Sequence, residues 1–246
     1  MGIIVEQSIE PRTLLTAVRR ILTANGHPEP TTVVGASGSV QKAVQAVNDA
    51  QDEIYAQTQW QWRFKWWPIE LTEGVMWYLV PGDFGEMAVD IPFKDATSQI
   101  DGISYHDLCD KYPHMRHYPA DSGIDLSLII DATSSTDYLG SPKLYTVWAG
   151  HLGLVPRPDA EYIDKQLGSI VGGYYKTAQD LYGDSDAIDM PKPMWRIHHN
   201  LANAYYKQYM EFSDWQATEQ RAMAQLQKAV TMDKKTTRTV NRMRAL

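Results

Sequence analysis

Apolar residues recur at helical spacing near both ends of this chain and at the alternating spacing of strands between them. Leu14, Leu15, Val18, Ile21 and Leu22 fall three and four apart, and Asn25-Gly26 followed by Pro28 supplies a left-handed stop and a break. A loop rich in Gly, Pro and Thr then runs from Gly26 to Gly38. Ser39 is placed to cap a second helix, in which Val40, Val44, Val47, Ala50 and Ile54 form one face while Lys42, Asp49, Asp52 and Glu53 lie largely elsewhere.

Beyond Trp60 the chain turns to short aromatic and β-branched runs punctuated by Glu73-Gly74, Pro81-Gly82-Asp83, Asp121-Ser122-Gly123 and Ala149-Gly150. These predict strands over Phe64–Leu71, Val75–Val80, Met87–Ile91, Ile124–Ile130, Leu144–Trp148, Leu152–Val155 and roughly Tyr162–Lys176. Helical spacing returns after Pro191-Lys192-Pro193, with Trp195, Ile197, Leu201, Ala204, Tyr205 and Tyr209 in one stripe. A further helical run extends from Asp214 to about Met232. The pattern predicts an α+β fold: N- and C-terminal helices (1–60 and 190–234) form a discontinuous helical bundle around a central inserted antiparallel β domain (61–189). Residues 235–246, basic and poor in apolar side chains, are expected to form an extended tail that orders on meeting a partner.

Charge sharpens that division. The formal net charge is −7 over 246 residues. From Arg221 onward seven basic residues (Arg221, Lys228, Lys234, Lys235, Arg238, Arg242 and Arg244) face Asp233 alone, a surplus of +6, which leaves −13 on the preceding 220 residues. An acidic body argues against free, sequence-independent DNA binding, and a basic end suits contact with another surface. The longest strictly apolar stretch, Val75 to Val80, is far short of the roughly 20 residues that cross a bilayer. The first residues lack the basic and apolar regions of a secretory signal, and Cys109 has no internal partner, so a reducing compartment is expected.

Few residues suggest chemistry. Thr32-Val33-Val34-Gly35-Ala36-Ser37-Gly38 resembles the phosphate-binding turn of a dinucleotide site, but Gln41 stands where the third glycine belongs and no βαβ series follows. A flexible loop with a Ser cap is the preferred reading. His106 with Cys109 and His114 with His117 lie too close together for two zinc ligand pairs. Asp184, Asp186 and Asp189 lack the Gly and the closing Glu of a calcium loop. His198-His199 lacks the spacing of a helical metal pair and reads as core or interface. No nucleophile elbow or Walker loop is present. What stands out instead is rigid contact area: Trp60, Trp62, Trp66 and Trp67 fall within one short stretch. Strand alternation puts Trp62 and Trp66 on one face and Trp67 on the other, so at least one of the three is expected to meet a second surface.

The order of landmarks carries a resemblance. A helix Val44–Ile54 runs into Trp60-Gln61-Trp62, and Tyr78-Leu79-Val80-Pro81-Gly82-Asp83-Phe84 follows. Later come Pro142–Gly150, Leu154-Val155-Pro156-Arg157-Pro158-Asp159, Gly173-Tyr174-Tyr175-Lys176 and the helix Trp195–Tyr209. Over roughly positions 40 to 212 this resembles the head-to-tail adaptor (connector) proteins of tailed bacteriophages, including the tail tubular type of short-tailed phages. The stretch Asp95 to Asp121 is longer than the family pattern. The resemblance implies a non-enzymatic virion protein at the head–tail junction, without cofactor or metal, assembled in the host cytoplasm into a homo-oligomeric ring, commonly a dodecamer. Such a ring sits below the portal protein, continues the channel for double-stranded DNA without binding it specifically, and offers a platform to a tail or nozzle protein. It also implies that the C-terminal segment docks on the portal, here through Lys234, Lys235, Arg238, Arg242, Arg244 and Leu246; Trp62, Trp66 and Trp67, from the strand alternation above, are the expected interface aromatics. A nicotinamide-dependent reductase built on the Gly35–Gly38 turn is the alternative.

Overall fold

The computed structural model describes residues 12–88, 100–111 and 139–244, those from 235 onward as backbone only. It divides into two compact units, Met1–Arg63 with Thr177–Leu246, and Phe64–Lys176. Residues 177–189, which the sequence pattern assigns to the β region, group with the helices.

The first unit is built on four helices: α1 (Leu14–Ala24), α2 (Gly38–Ala56), α5 (Trp195–Tyr209) and α6 (Trp215–Arg244). Thr13 caps α1 by accepting a hydrogen bond from Thr16 N at 3.4 Å. The helix stops because Gly26 takes φ +76, which lets His27 N reach Leu22 O at 2.9 Å and Gly26 N reach Thr23 O at 3.2 Å, the paired bonds of a Schellman stop. On α2 the cap is Ser37, not Ser39, and its side chain makes no capping bond. The buried face is Ala43, Ala46, Val47, Ala50 and Ile54, while Val40 and Val44 lie at its margin. Small alanines thus take the positions of closest helix approach and the bulkier valines fill the flank.

Between Lys176 and α5 the chain returns as an irregular segment, and α2 holds it by its backbone. Asn48 donates to Leu181 O at 3.1 Å and accepts from Leu181 N at 3.0 Å; Gln51 donates to Gln179 O at 2.8 Å and Tyr55 Oη to Asp189 O at 2.8 Å. The same segment binds the start of α1, through Leu14 N to Asp186 O (2.9 Å) and Ile188 N to Arg12 O (2.8 Å). Leu181, Ile188, Met190 and Met194 then drop into the helical core.

The second unit, Phe64–Lys176, holds the strands. β1 (Phe64–Glu70), β2 (Trp77–Leu79), β3 (Phe84–Met87) and β4 (Asp101–Gly102) are followed by the short helix α3 (Tyr105–Lys111). Next come β5 (Leu139–Gly140), β6 (Leu144–Trp148), β7 (His151–Val155), β8 (Arg157–Pro158), helix α4 (Ala160–Lys165) and β9 (Ser169–Lys176). Among the described residues three sheets result, ordered β1-β9-β3, β2-β7-β6-β4 and β5-β8. The expected antiparallel character holds for most pairs, but β4 joins β6 and β5 joins β8 in parallel. Ile69, Ile170, Leu152, Leu154, Tyr162 and Tyr174 are the centre of its core.

Three further expectations change. The run Tyr162–Lys176 is a helix followed by a strand, because Asp159 caps α4 by accepting from Tyr162 N at 2.7 Å and Gly168, at φ +83, turns the chain into β9. Residues 235–244 continue α6 as helix and do not form an extended tail, since no Gly or Pro interrupts the chain from Trp215 onward and Lys, Arg and Met favour helix. Thr32–Val34 forms no strand, so the Gly35 turn lacks the sheet edge a dinucleotide site requires; Gly35 and Gly38 take φ +65 and +61 in a loop, and Val33 N is held by Asp184 Oδ1 at 2.7 Å. The predicted strand Ile124–Ile130, the last residues of Met87–Ile91, and His114 and His117 lie outside the described residues.

The helical core also encloses cationic groups. Arg12 is 6% exposed and donates from Nη1 to Trp195 O at 2.7 Å, while its Nε and Nη2 make no hydrogen bond. His198, fully buried, shares its Nε2 with Val47 O at 3.0 Å; because a carbonyl only accepts, the proton sits on Nε2 and Nδ1 carries a bare lone pair. Burial, reinforced by Arg12, lowers His198 to about 3, and burial with Arg12 and Arg20 lowers His199 to about 4. Burial, with Arg20, brings Arg12 down to about 10. His198 belongs to the core and His199 is half-buried beside it, consistent with a core or interface role and not a metal pair.

Removing the paired bonds between Asn48 and Leu181 by Asn48→Ala is expected to lower the unfolding free energy by about 2 kcal/mol, measured by urea denaturation. A pH dependence follows from the histidines. In the unfolded chain they take up protons near 6.5, whereas in the folded chain they resist until about 4 and 3, so the unfolded state binds more protons in between. Their contribution is therefore full above 6.5 and is lost as pH falls through that window. Urea midpoints should drop between about pH 7 and about pH 4.5, and less so in His199→Gln. Asp83 and Asp186, held below 3.8 by hydrogen bonds, act only at lower pH.

Candidate assembly surfaces

Among the described residues no His, Cys, Asp or Glu grouping could hold a metal ion. The acids that superficially suggest a calcium loop are used for turn building. Asp186 Oδ2 accepts from Tyr182 N at 2.7 Å and Gly183 N at 2.6 Å, Asp184 holds Val33 N, and the Asp189 carbonyl receives Tyr55 Oη. The informative features are surfaces.

The three tryptophans singled out by sequence occupy different settings. Trp62 lies in a 3-10 turn, Gln61–Arg63, and not on a strand. It meets the Tyr55 ring edge-on at 5.1 Å and stacks on Trp60 at 6.3 Å. This stretch folds back on the end of α2, where Trp60 Nε1 donates to Ile54 O at 2.6 Å and Arg63 Nη1 to Tyr55 O at 2.6 Å. It thereby satisfies carbonyls a helix end leaves open. Trp66 and Trp67 alternate on β1 as expected. Trp67 packs on the β core, and Trp66 is 60% exposed.

The register explains the exposed face. Phe64 stands opposite Tyr175, Trp66 opposite Gly173 and Pro68 opposite Val171, so these share one side of the β1-β9-β3 sheet. The other side carries Trp67, Ile69, Ile170 and Tyr174 toward the core. Phe64 meets Trp66 edge-on at 4.9 Å and Tyr175 at 5.8 Å. A sheet this size usually turns a polar side to water; this one turns an aromatic side. Beyond Trp66, sequence reasoning missed the contribution of Tyr175, whose only signal was its place in the Gly173-Tyr174-Tyr175 run.

The helical unit segregates its charge. Asp49, Asp52 and Asp180 lie together, and burial followed by Asp180 and Asp49 raises the Asp52 carboxyl. Burial, Glu53, Glu219 and Asp49 push Tyr205 up to about 12, and Tyr209 donates to Asp49. Tyr182, 71% exposed, donates to Asp180 Oδ2 at 3.0 Å. Asp49 and Glu53 of this acidic flank meet the Tyr205 and Tyr209 side of α5, while Asp180 and Tyr182 lie on the returning segment. Elsewhere on α5, Arg196 and Ile197 line a furrow against Gln225, Lys228, Ala229 and Met232 of α6, a cavity of about 350 Å³. It continues through Asn200 and Asn203 toward Arg221, with a further 190 Å³ or so. Past the furrow, Lys234 is exposed and Lys235, Arg238, Arg242 and Arg244 follow along the same helix; Leu246 lies outside the described residues.

The model of the family described as SU10 adaptor protein matches residues 12–244, nearly the whole chain, and the chain belongs to that family. This agrees with the head-to-tail adaptor resemblance of its landmark series. A search of the curated proteins gives no match.

Proposed function

We propose that this member of the SU10 adaptor family is a structural subunit of a ring that docks below the portal, continues the DNA channel and supports tail or nozzle attachment at the head–tail junction. The family match over residues 12–244 carries the reading. Its surfaces support it in physical terms. An aromatic sheet face around Trp66 suits a buried contact with another protein, because rigid aromatic side chains contribute large area at low entropic cost. The protein's product is a shaped wall and it carries out no reaction.

Charge supports the division of labour. The acidic body suits a conduit, since negative walls repel phosphates and let the genome slide, whereas a basic wall would retain it. The basic residues gather at the end of α6, where Lys234, Arg238 and Arg242 recur every four positions along one helix. On this reading the partner surface on the portal is acidic.

Truncation after Met232 tests the docking element. The shortened chain is expected to lose retention on immobilised portal rings in a pull-down, and unchanged retention removes the role of this end. Negative-stain images of the intact chain with portal are expected to show an added ring coaxial with the portal.

A further inference from the structure

The furrow between α5 and α6 and the acidic flank beside α2 are complementary in charge. The furrow has an apolar floor, Ile197, Ala229 and Met232, and a cationic rim, Arg196 and Lys228, neither of which forms an ion pair among the described residues. The flank presents the reverse: an exposed Tyr182 ring tied to Asp180, with Asp52 alongside and no cation paired to either carboxylate among the described residues. Each surface carries the counter-charge that the other lacks.

Their placement decides what kind of contact they can make. His198, Tyr205 and Tyr209 of α5 turn toward α2, through Val47 O and Asp49, whereas Arg196, Asn200 and Asn203, spaced four and three apart, turn toward the furrow with α6. The two patches therefore occupy different places on the helical unit, Asp52 on α2 with Asp180 and Tyr182 on the returning segment, and Arg196 and Lys228 on α5 and α6, and among the described residues no ion pair joins them within one chain. Two different patches that match each other make a head-to-tail contact, the type that closes into rings.

We propose that the Tyr182 ring, flanked by Asp52 and Asp180, seats in the Arg196/Lys228/Met232 furrow of a second copy of this chain. A tyrosine supplies an aromatic anchor for the apolar floor, and the carboxylates meet the cationic rim. The proposal rests on the ring reading and assigns the surfaces through which neighbours join.

Charge exchange tests it on the full chain, with association followed by sedimentation velocity, alone and on the cognate portal. Arg196→Glu with Lys228→Glu makes one chain acidic on both patches; Asp52→Lys with Asp180→Lys makes another basic on both. Each alone is expected to stay monomeric where the native chain associates, and an equal mixture to recover native-sized assemblies of alternating chains. Tyr182→Ala, at an exposed position, is expected to weaken association more than about tenfold without loss of helical circular dichroism. Native-like association of either reversed chain alone, a mixture of folded chains that stays monomeric, or unchanged association of Tyr182→Ala overturns this pairing while the ring reading stands. A native chain that is monomeric both alone and on portal overturns the two together.

Discussion

The helical unit depends on the hydrogen bonds by which α2 holds the returning chain. Its two segments are separated in sequence by Phe64–Lys176, so the helices before and after that stretch must find each other across it. For a flexible segment of that length the closure entropy is about 4 kcal/mol beyond a constant. Hydrophobic burial between helices offsets this cost but does not fix register. Asn48, Gln51 and Tyr55 do, because each recognises a specific backbone group of residues 179–189, leaving Leu181 and Ile188 no choice of pocket. At the outgoing boundary Trp60 and Arg63 bind the last carbonyls of α2. Both ends of the interruption are thus anchored to the same helix.

The polar groups inside the unit show the same preference for fixed geometry over neutralisation. Among the described residues the Arg12 guanidinium donates to the Trp195 carbonyl alone, and the histidines beside it stay neutral. Burying charge without a counter-charge is costly, and the cost is reduced by depressed pKa values and not by an ion pair. Carboxylates are available in the helical unit, yet Asp52 lies on the flank, Asp184 and Asp186 hold backbone N–H groups, and Asp214 pairs with Lys207.

Local signals were the legible part of the sequence. The stop of α1 at Asn25-Gly26, strand β6 at Leu144–Trp148 and the start of α5 after the proline pair all rest on neighbouring residues, and all appear as expected. The misreadings arose where a distant partner decides. Trp62 has strand-like neighbours but is claimed by the end of α2 through Tyr55. The Tyr162–Lys176 run reads as one strand unless Asp159 is recognised as a cap. The cap of α2 moves from Ser39 to Ser37 because two glycines in the left-handed region set the entry of the loop. Of the surfaces, Trp66 was visible in the aromatic cluster, whereas the furrow was not, since Arg196 and Lys228 are far apart in sequence and only helix packing joins them.

The two units leave different kinds of surface, and the difference matters for how a ring could hold. On the β unit an aromatic sheet face offers contact without directional demand, because ring and methyl groups tolerate small shifts of a partner. On the helical unit opposite charges surround an apolar furrow and a tyrosine, which tolerate only one orientation and one polarity. Directional contacts determine that each copy meets the next in the same sense, so that the rotation repeats and closes. Apolar contacts can then add affinity without risking a wrong pairing. A chain that used only the aromatic face could pair with itself back to back, burying the patch in a dimer that grows no further. On the proposed pairing the charged patches of the helical unit supply the polarity that such a face lacks, since identical patches repel.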